Sequence, residues 1–505
     1  MSHQINNKRI AKNTLFMYIR MFVILVVTLY TARVVIRTLG IDDYGIYNIV
    51  GGVVVLFSFV NISLRSAFQR FISYELGKED IQNSNKIIGS SFTIVLIFSF
   101  IFLILAETIG LWFVYYKLVI PTDKMTAALW VYQFSILTFI LNLFQTPYQA
   151  IIISYERMSF YAGYSIVESA LKLIVAFLLV MASSNQLIIY AGLGFCVAII
   201  STVITAVYCH KKLEIPVRSK GTRQQLVSLF HYSSWSMANS STVIVAQQGG
   251  NIILNLFVGV IANGAYGIAN QVTAAINGFV SNFQSAFNPQ ITKSYSARGY
   301  QDLFKLINRT SLLSFCLLAV ISVPFFIECD FILTLWLGEC PEYAVGFCNL
   351  MLVYFLIDSC QAPLWMLIYA TGKVKAYQIW SGIITLFNIP IAALLLYIGL
   401  SAYWVFIVRL VLNSIIAIIR PFYTHILVND FSVLNYGKEV LLPVFRIVLI
   451  CFAIIIIGIS ARGWMPPFLI IIVSVLCSIV LIPIFGIKKA DRNLIVELIK
   501  NKNRR

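Results

Sequence analysis

Residues 44–48 read Tyr-Gly-Ile-Tyr-Asn, and residues 266–270 read Tyr-Gly-Ile-Ala-Asn. Two further matches follow in the same order: Ser-Ala-Phe at 66–68 and at 285–287, and Gln-Thr-Pro at 145–147 with Gln-Ala-Pro at 361–363. The three offsets are 222, 219 and 216 residues, so two short length changes bring all the matches into register. The sequence therefore predicts that the chain contains an internal duplication of about 220 residues.

The composition predicts that the duplicated unit lies in a membrane. Hydrophobic residues make up 60% of the chain, charged residues only 11%, and the mean hydropathy is +0.87. A helix needs about 20 apolar residues to cross a bilayer. Fourteen such stretches are predicted, which indicates an all-α polytopic membrane protein: 14–36, 44–64, 88–116, 126–153, 160–182, 186–209, 229–257, 264–288, 310–330, 345–370, 376–398, 403–428, 440–460 and 467–487.

The repeat gives these spans an organisation of six, six and two. Because six is even, the second copy starts on the same side of the membrane as the first, so the two lobes are predicted to be parallel around a central cavity, as in transporters. The predicted divisions are an amino-terminal lobe at 1–209, a cytoplasmic linker at 210–228, a second lobe at 229–428, and two further helices with a basic tail at 429–505.

Charge placement predicts the orientation. With the amino terminus in the cytoplasm, only Arg37, Lys117, Lys124 and Arg462 of the basic residues between the spans lie outside, as the positive-inside rule expects. Four acidic residues are predicted to share one outside loop: Glu328, Asp330, Glu339 and Glu342. The net charge of +17 is then explained by basic residues on the cytoplasmic side, which can also attract anionic lipid head groups. It does not require a nucleic-acid partner.

Sequence motifs for nucleotide binding, metal binding and thiol redox chemistry are absent from the sequence. It contains no Walker A pattern, no HExxH, no CxxC and no Cys/His set at metal-ligand spacing. We therefore expect no cofactor, no metal site and no ATP hydrolysis. The nine cysteines are interpreted as small packing residues, and uphill transport would require an ion gradient.

Ionisable residues inside the spans are the candidate site, because a charge in the bilayer core is costly and usually faces a cavity or a partner. The candidates for a cationic substrate cavity are Arg20, Arg33, Lys172 and Arg409, and the candidates for ion coupling are Glu168 and Asp358. Lys172 lies about 18 Å into its span, near the bilayer middle. Basic residues outnumber acidic ones, which favours an anionic head group; guanidinium groups suit phosphate or pyrophosphate.

Structural alternatives remain open for most of these residues. Glu168 and Lys172 are four residues apart and can form a self-neutralising ion pair. In that case Lys172 would not bind substrate and Glu168 would not carry a proton. Asp358 can be a structural hydrogen-bonding group, and Arg409 can extend to the outer interface. Pro147 and Pro363 occupy equivalent places in the two lobes and predict paired helix kinks, for alternating access or for static packing.

The chain resembles a known family through residues 39–48, Leu-Gly-Ile-Asp-Asp-Tyr-Gly-Ile-Tyr-Asn, followed by Gln-Arg-Phe at 69–71. Together with the six-six-two order, these resemble bacterial polysaccharide flippases, the O-antigen and capsule repeat-unit exporters of the multidrug/oligosaccharidyl-lipid/polysaccharide (MOP) superfamily, which has a MATE-like fold. The resemblance implies an inner-membrane protein without enzymatic activity. It also implies a substrate oligosaccharide on undecaprenyl pyrophosphate, carried to the periplasmic leaflet by alternating access.

The resemblance leaves other partners and functions open. H⁺ or Na⁺ coupling and a polysaccharide polymerase with its chain-length machinery are candidate partners, besides membrane lipids. The alternatives are a cation-coupled multidrug antiporter of the same superfamily, a flippase for peptidoglycan or teichoic acid precursors, and a glycan polymerase or ligase. The antiporter would normally have an acidic residue in its cavity helices, and the enzyme a large outside loop.

Overall fold

The computed structural model describes residues 7–77, 80–155, 157–182, 184–213, 222–296 and 300–486. Within residues 7–22, and at some positions between 235 and 296, only the backbone is described. Every regular element in these ranges is a helix, so the predicted all-α fold is confirmed. The chain divides into two compact units, and the boundary between them along the sequence lies between Gly264 and Ala265. The lobe boundaries at the 210–228 linker, where 214–221 lie outside the described residues, remain a prediction.

The amino-terminal unit is a bundle in which α1 packs against α5, α6, α7 and α8, and α2 packs against α3, α5 and α8. On α2, Leu64, Phe68 and Ile72 recur every four residues and are completely buried. Because lipid is as apolar as these side chains, close packing stabilises the bundle more than escape from water does. The helices are α1 Asn7–Val55, α2 Ser58–Gly77, α3 Ile81–Leu105, α4 Leu111–Tyr116, α5 Met125–Ser154, α6 Met158–Val180, α7 Gln186–Lys212 and α8 Arg223–Phe257.

The first two predicted spans do not have the predicted boundaries. No loop separates them at 37–43; α1 continues through this region and is interrupted only at Gly40, whose φ of +79° is accessible to glycine without steric cost. The predicted span 44–64 is also wrong at its end, because α1 ends at Val55 and α2 continues to Gly77. The polar side chains of α2, which include Arg65 and Arg70, lower its hydropathy and concealed its length.

The glycine of the first repeat match permits a close helix contact. A methyl group added to Gly45 on α1 would collide with the carbonyl oxygen of Val260, and one added to Gly264 would lie 2.8 Å from the carbonyl oxygen of Ile41. Val260 and Gly264 belong to the first turns of α9, which spans Val260–Ser296. The two helices therefore approach each other through backbone atoms, as small residues allow in membranes.

A side-chain amide fixes the connection between α4 and α5. Asn255 on α8 accepts a hydrogen bond from the Val119 amide nitrogen at 2.9 Å and donates one to the Val119 carbonyl oxygen at 3.2 Å. Its amide also donates to Asn263 Oδ1 at 3.0 Å, and Asn263 donates to Asn251 Oδ1 at 2.7 Å. These buried asparagines satisfy one another, and we refer to the pairing of Asn255 with Val119 as the Asn255 clamp.

The carboxy-terminal unit is a second helical bundle, in which α10 packs against α11, α16 and α17, and α11 packs against α14. The predicted span 376–398 consists of two helices that meet at Phe387, and a π-helical segment, Gly437–Leu441, precedes α16. After α9, the helices are α10 Tyr300–Leu337, α11 Ala344–Ala370, α12 Lys375–Leu386, α13 Asn388–Tyr397, α14 Trp404–Leu427, α15 Val433–Tyr436, α16 Leu442–Ser460 and α17 Pro467–Leu481.

The acidic cluster predicted for an outside loop is partly helical and buried. Glu328 and Asp330 lie within α10, which runs to Leu337 and not to the predicted residue 330. The Glu328 side chain is only 6% exposed and accepts a hydrogen bond from Arg462 Nε at 3.0 Å. Arg462 compensates the carboxylate, which explains how an acidic residue can be buried in an apolar helix. The turn between α16 and α17 is thereby joined to α10.

Eleven of the described helical segments are long and apolar enough to cross a bilayer, so the chain is a multi-pass membrane protein. Helices α2, α8 and α9 do not meet this criterion, although each overlaps a predicted span. Each carries amides or charges at interior positions, such as Arg65 on α2, Asn255 on α8 and Asn263 on α9. The count of fourteen spans therefore remains a prediction.

Candidate functional site

A chain of polar side chains connects three helices of the amino-terminal unit. Arg65 Nη1 on α2 donates to Gln149 Oε1 on α5 at 3.2 Å. The Gln149 amide donates to Gln145 Oε1 at 3.1 Å and to the Tyr164 hydroxyl on α6 at 3.2 Å. Gln145 Nε2 also donates to that hydroxyl, at 3.3 Å. We name Arg65, Gln145, Gln149, Tyr164, Glu168 and Lys172 the amino-terminal network.

Helical periodicity aligns these residues. Gln145 and Gln149 are one turn apart on α5, and Tyr164, Glu168 and Lys172 follow one another every four residues on α6. Two amides donate to the Tyr164 oxygen, so its own proton is left for Glu168, with which the hydroxyl interacts. The network therefore has a direction, from the Arg65 cation to the Glu168 carboxylate.

Lys172 ends this network as the partner of Glu168. Its Nζ lies 2.6 Å from Glu168 Oε1, so the two residues form the ion pair that their spacing allows. The Lys172 side chain is 59% exposed and that of Glu168 27%, which places the lysine at the outside of the pair. The roles suggested for this pair, which are substrate binding, proton transfer and structural neutralisation, remain predictions.

The other amino-terminal candidates lie on α1. Arg33 is half-buried on this helix, which packs against α6. The Arg20 side chain lies outside the described part of the chain. Pro147 is buried within α5, beside Thr146, whose hydroxyl donates to the Asn142 carbonyl oxygen at 2.9 Å. The kink predicted at Pro147, and that at Pro363 within α11, remain predictions.

A second polar cluster occupies the carboxy-terminal unit. The Arg409 guanidinium on α14 lies 4.5 Å from the ring centroid of Tyr354 on α11. Arg420 on the same helix is 6% exposed, and its Nε donates to the Tyr377 hydroxyl on α12 at 2.9 Å. Asp358, one turn after Tyr354, interacts electrostatically with both arginines. We name Tyr354, Asp358, Tyr377, Arg409 and Arg420 the carboxy-terminal network.

The carboxy-terminal network has an excess of positive charge. Arg409 and Arg420 are eleven residues apart, which is about three helical turns, so both lie on one face of α14. Asp358 is the one acidic member beside them. Tyr266, which begins the second copy of the first repeat match, also interacts with Arg409. Arg409 and Asp358, which the sequence predicts separately, are thus brought together by α11 and α14.

Two arginines of these networks were missed in the sequence analysis. Arg65 immediately follows the predicted end of the span 44–64, so it was assigned to a loop. Arg420 lies inside the predicted span 403–428, and its spacing of eleven residues from Arg409 was the signal that could have identified it. Among the described residues, no group of three or more His, Cys, Asp or Glu side chains could hold a metal ion.

A family model described as polysaccharide biosynthesis protein matches residues 8–294, more than half of the chain. The chain belongs to this family. A second model, described as MatE, matches residues 240–394 of this polysaccharide biosynthesis family member. No curated protein matches the chain.

The fold of this family member is similar to several solved transporter structures. The lipid II flippase MurJ in an inward closed conformation has a TM-score of 0.70 at 12% identity, covering 94% of this chain and 98% of that one. An inward-facing multidrug resistance MATE transporter of the MOP superfamily has a TM-score of 0.60 at 14% identity, covering 83% and 96%.

A MOP superfamily transporter from Pyrococcus furiosus, described as having a binding pocket of reverse polarity, has a TM-score of 0.56 at 14% identity and the same coverage. At these identities, the likeness shows the MATE-like fold alone. It agrees with the family match, which assigns the chain to the polysaccharide biosynthesis family.

Proposed function

We propose that this protein moves an oligosaccharide linked to undecaprenyl pyrophosphate from the cytoplasmic to the periplasmic leaflet of a bacterial inner membrane by alternating access. The observation that carries the proposal is the pair Arg409 and Arg420 on one face of α14, with Asp358 as the acidic residue beside them. Two guanidinium groups and one carboxylate leave positive charge for a pyrophosphate, whose oxygens match the donor fork of arginine.

The remaining site residues are part of the same proposal. Arg20, Arg33 and Lys172 would add positive charge along the path of the head group, while the prenyl tail stays in lipid. Glu168 and Asp358 are the candidates for H⁺ or Na⁺ coupling. Both termini are proposed to be cytoplasmic. Conversion between inward-open and outward-open states would use Pro147 and Pro363 as bending points.

Deletion of the gene tests the proposal. We expect loss of surface polysaccharide, with lipid-linked single repeat units retained on the cytoplasmic face. Complementation with Arg409→Gln or Arg420→Gln should restore little export at normal membrane abundance, because glutamine removes the charge. Arg446→Gln is the matched control, since Arg446 lies on α16 with an exposed side chain. Full export by both test variants would contradict the role of the arginine pair.

The likeness in fold to MurJ along 94% of this chain makes a flippase of peptidoglycan precursor the second candidate. It shares the lipid pyrophosphate chemistry, so only the accumulating lipid separates the two functions. Under this alternative, deletion would impair cell-wall synthesis and cause accumulation of peptide-bearing lipid, with unchanged surface polysaccharide. Altered sensitivity to cationic drugs alone would instead favour the multidrug antiporter.

A further inference from the structure

The two copies of the repeat differ at one hydrogen-bonded pair. In the amino-terminal unit, the Gln145 amide donates to the Tyr164 hydroxyl. The third repeat match has an offset of 216 residues, which makes Gln361 the equivalent of Gln145 and Trp380 the equivalent of Tyr164. Gln361 Oε1 and Trp380 Nε1 are both buried, and neither has a hydrogen-bonding partner among the described residues. The pair therefore forms a hydrogen bond in the amino-terminal lobe, whereas its equivalent in the carboxy-terminal lobe has an unpaired donor and an unpaired acceptor.

Two tyrosine rings pack against the Trp380 ring, which carries the unpaired donor. Trp380 lies 5.3 Å from Tyr377 and 5.8 Å from Tyr423, measured between ring centroids. Tyr377 and Trp380 are three residues apart on α12, and Arg420 and Tyr423 are three residues apart on α14, so each helix contributes one face to the cluster. We name Tyr377, Trp380, Arg420 and Tyr423 the Trp380 cluster.

The unpaired acceptor lies on the face of α11 that belongs to the carboxy-terminal network. Gln361 follows Asp358 by three residues on this helix, and Asp358 interacts electrostatically with Arg420. Gln361 is only 4% exposed, so its side-chain oxygen is separated from bulk solvent. A buried polar atom without a partner costs free energy that a ligand can recover by forming the missing bond.

The chemistry of the two atoms selects a ligand group. The indole Nε1–H only donates and the amide oxygen only accepts, so a hydroxyl group satisfies both kinds of atom because it accepts and donates. A sugar ring carries several hydroxyl groups at its edge and apolar C–H groups on its faces. The C–H faces can pack against Trp380 and Tyr423, which are both partly exposed.

We propose that the Trp380 cluster is a subsite for a sugar of the lipid-linked substrate, next to the arginine that would hold the pyrophosphate. This inference rests on the proposed function and specifies which part of the substrate each group binds. Trp380 lies about 8 Å along α12 from Lys375, and the charge distribution predicts that this end of the helix is cytoplasmic. The subsite would therefore bind the sugar where the substrate enters.

The test is a comparison of two ligands on the purified full-length protein in lipid nanodiscs. The probes are undecaprenyl pyrophosphate and the glycan-bearing lipid extracted from the gene-deletion strain. We expect the wild type to bind the glycan-bearing lipid more tightly. Trp380→Phe, which keeps a ring but removes the N–H, and Gln361→Leu should each reduce this preference by about three- to tenfold, the effect of one hydrogen bond.

The matched control is Trp464→Phe, because Trp464 is 91% exposed and belongs to no cluster. Equal preference for the glycan in the wild type, Trp380→Phe and Gln361→Leu would overturn the subsite while leaving the proposed function intact. The same conclusion would follow if the wild type bound both lipids equally. If the wild type bound neither lipid, the proposed function itself would fail, and the subsite with it.

Discussion

Replacement of Arg462 will measure how strongly the last two helices are held to α10. Arg462 Nε lies 3.0 Å from Glu328 Oε1, and the side chains are 48% and 6% exposed, respectively. Arg462→Gln leaves the buried carboxylate without its cation. Loss of one partner from a fully buried pair costs about 3–5 kcal/mol. Because Arg462 is half exposed and screened, we expect a loss of about 1–3 kcal/mol in the free energy of unfolding.

A double-mutant cycle isolates this interaction. Thermal unfolding of the detergent-solubilised protein should rank the midpoints with Arg462→Gln lowest and the double variant Glu328→Gln/Arg462→Gln above it, because the second change removes the uncompensated charge. Arg446→Gln, an exposed arginine on the neighbouring α16, should have little effect. If the two single effects simply add in the double variant, the ion pair contributes nothing and our explanation for the burial of Glu328 is refuted.

Two further predictions concern the amino-terminal unit. Gly45→Ala should strongly reduce the yield of folded protein, measured by fluorescence-detected size-exclusion chromatography, because the added methyl collides with the Val260 carbonyl; Gly51→Ala, which meets nothing within 4 Å, should be neutral. Exchange of Glu168 and Lys172 keeps their ion pair but reverses its direction. Export by the exchanged variant near the wild-type level would assign the pair a structural role, whereas loss of export at normal abundance would support a role in transport.

The parts of the fold that depend on repetition and hydropathy could be predicted from the sequence. The all-α class and the membrane location follow from long apolar runs, because a helix satisfies its own backbone in lipid. The interruption at Gly40 could not be predicted as a break within one helix, since glycine is equally common in loops. Glu328 was misplaced because its burial depends on Arg462, 134 residues away, and hydropathy contains no information about such a partner.

The sequence predicted which charged residues belong to the candidate site better than it predicted which of them lie next to one another. Spacing alone gave the Glu168–Lys172 pair, because both residues lie on one helix. The association of Asp358 with Arg409 and Arg420 depends on the packing of α11 against α14, which one sequence does not specify. The repeat was an incomplete guide: the arginine positions of α14 have no basic equivalents in α7, where offset 216 gives Leu193 and Ile204.

Because of the Asn255 clamp, the exposed loop between α4 and α5 should move together with α8, a helix that is difficult to label directly. Both backbone groups of Val119 are bonded to one side chain of α8, so the loop cannot shift along that helix without breaking two hydrogen bonds. A spin label on Lys117, an exposed residue two positions away, would therefore follow the tilt of α8. Distances from such a label would record each transport state without a probe inside the helical bundle.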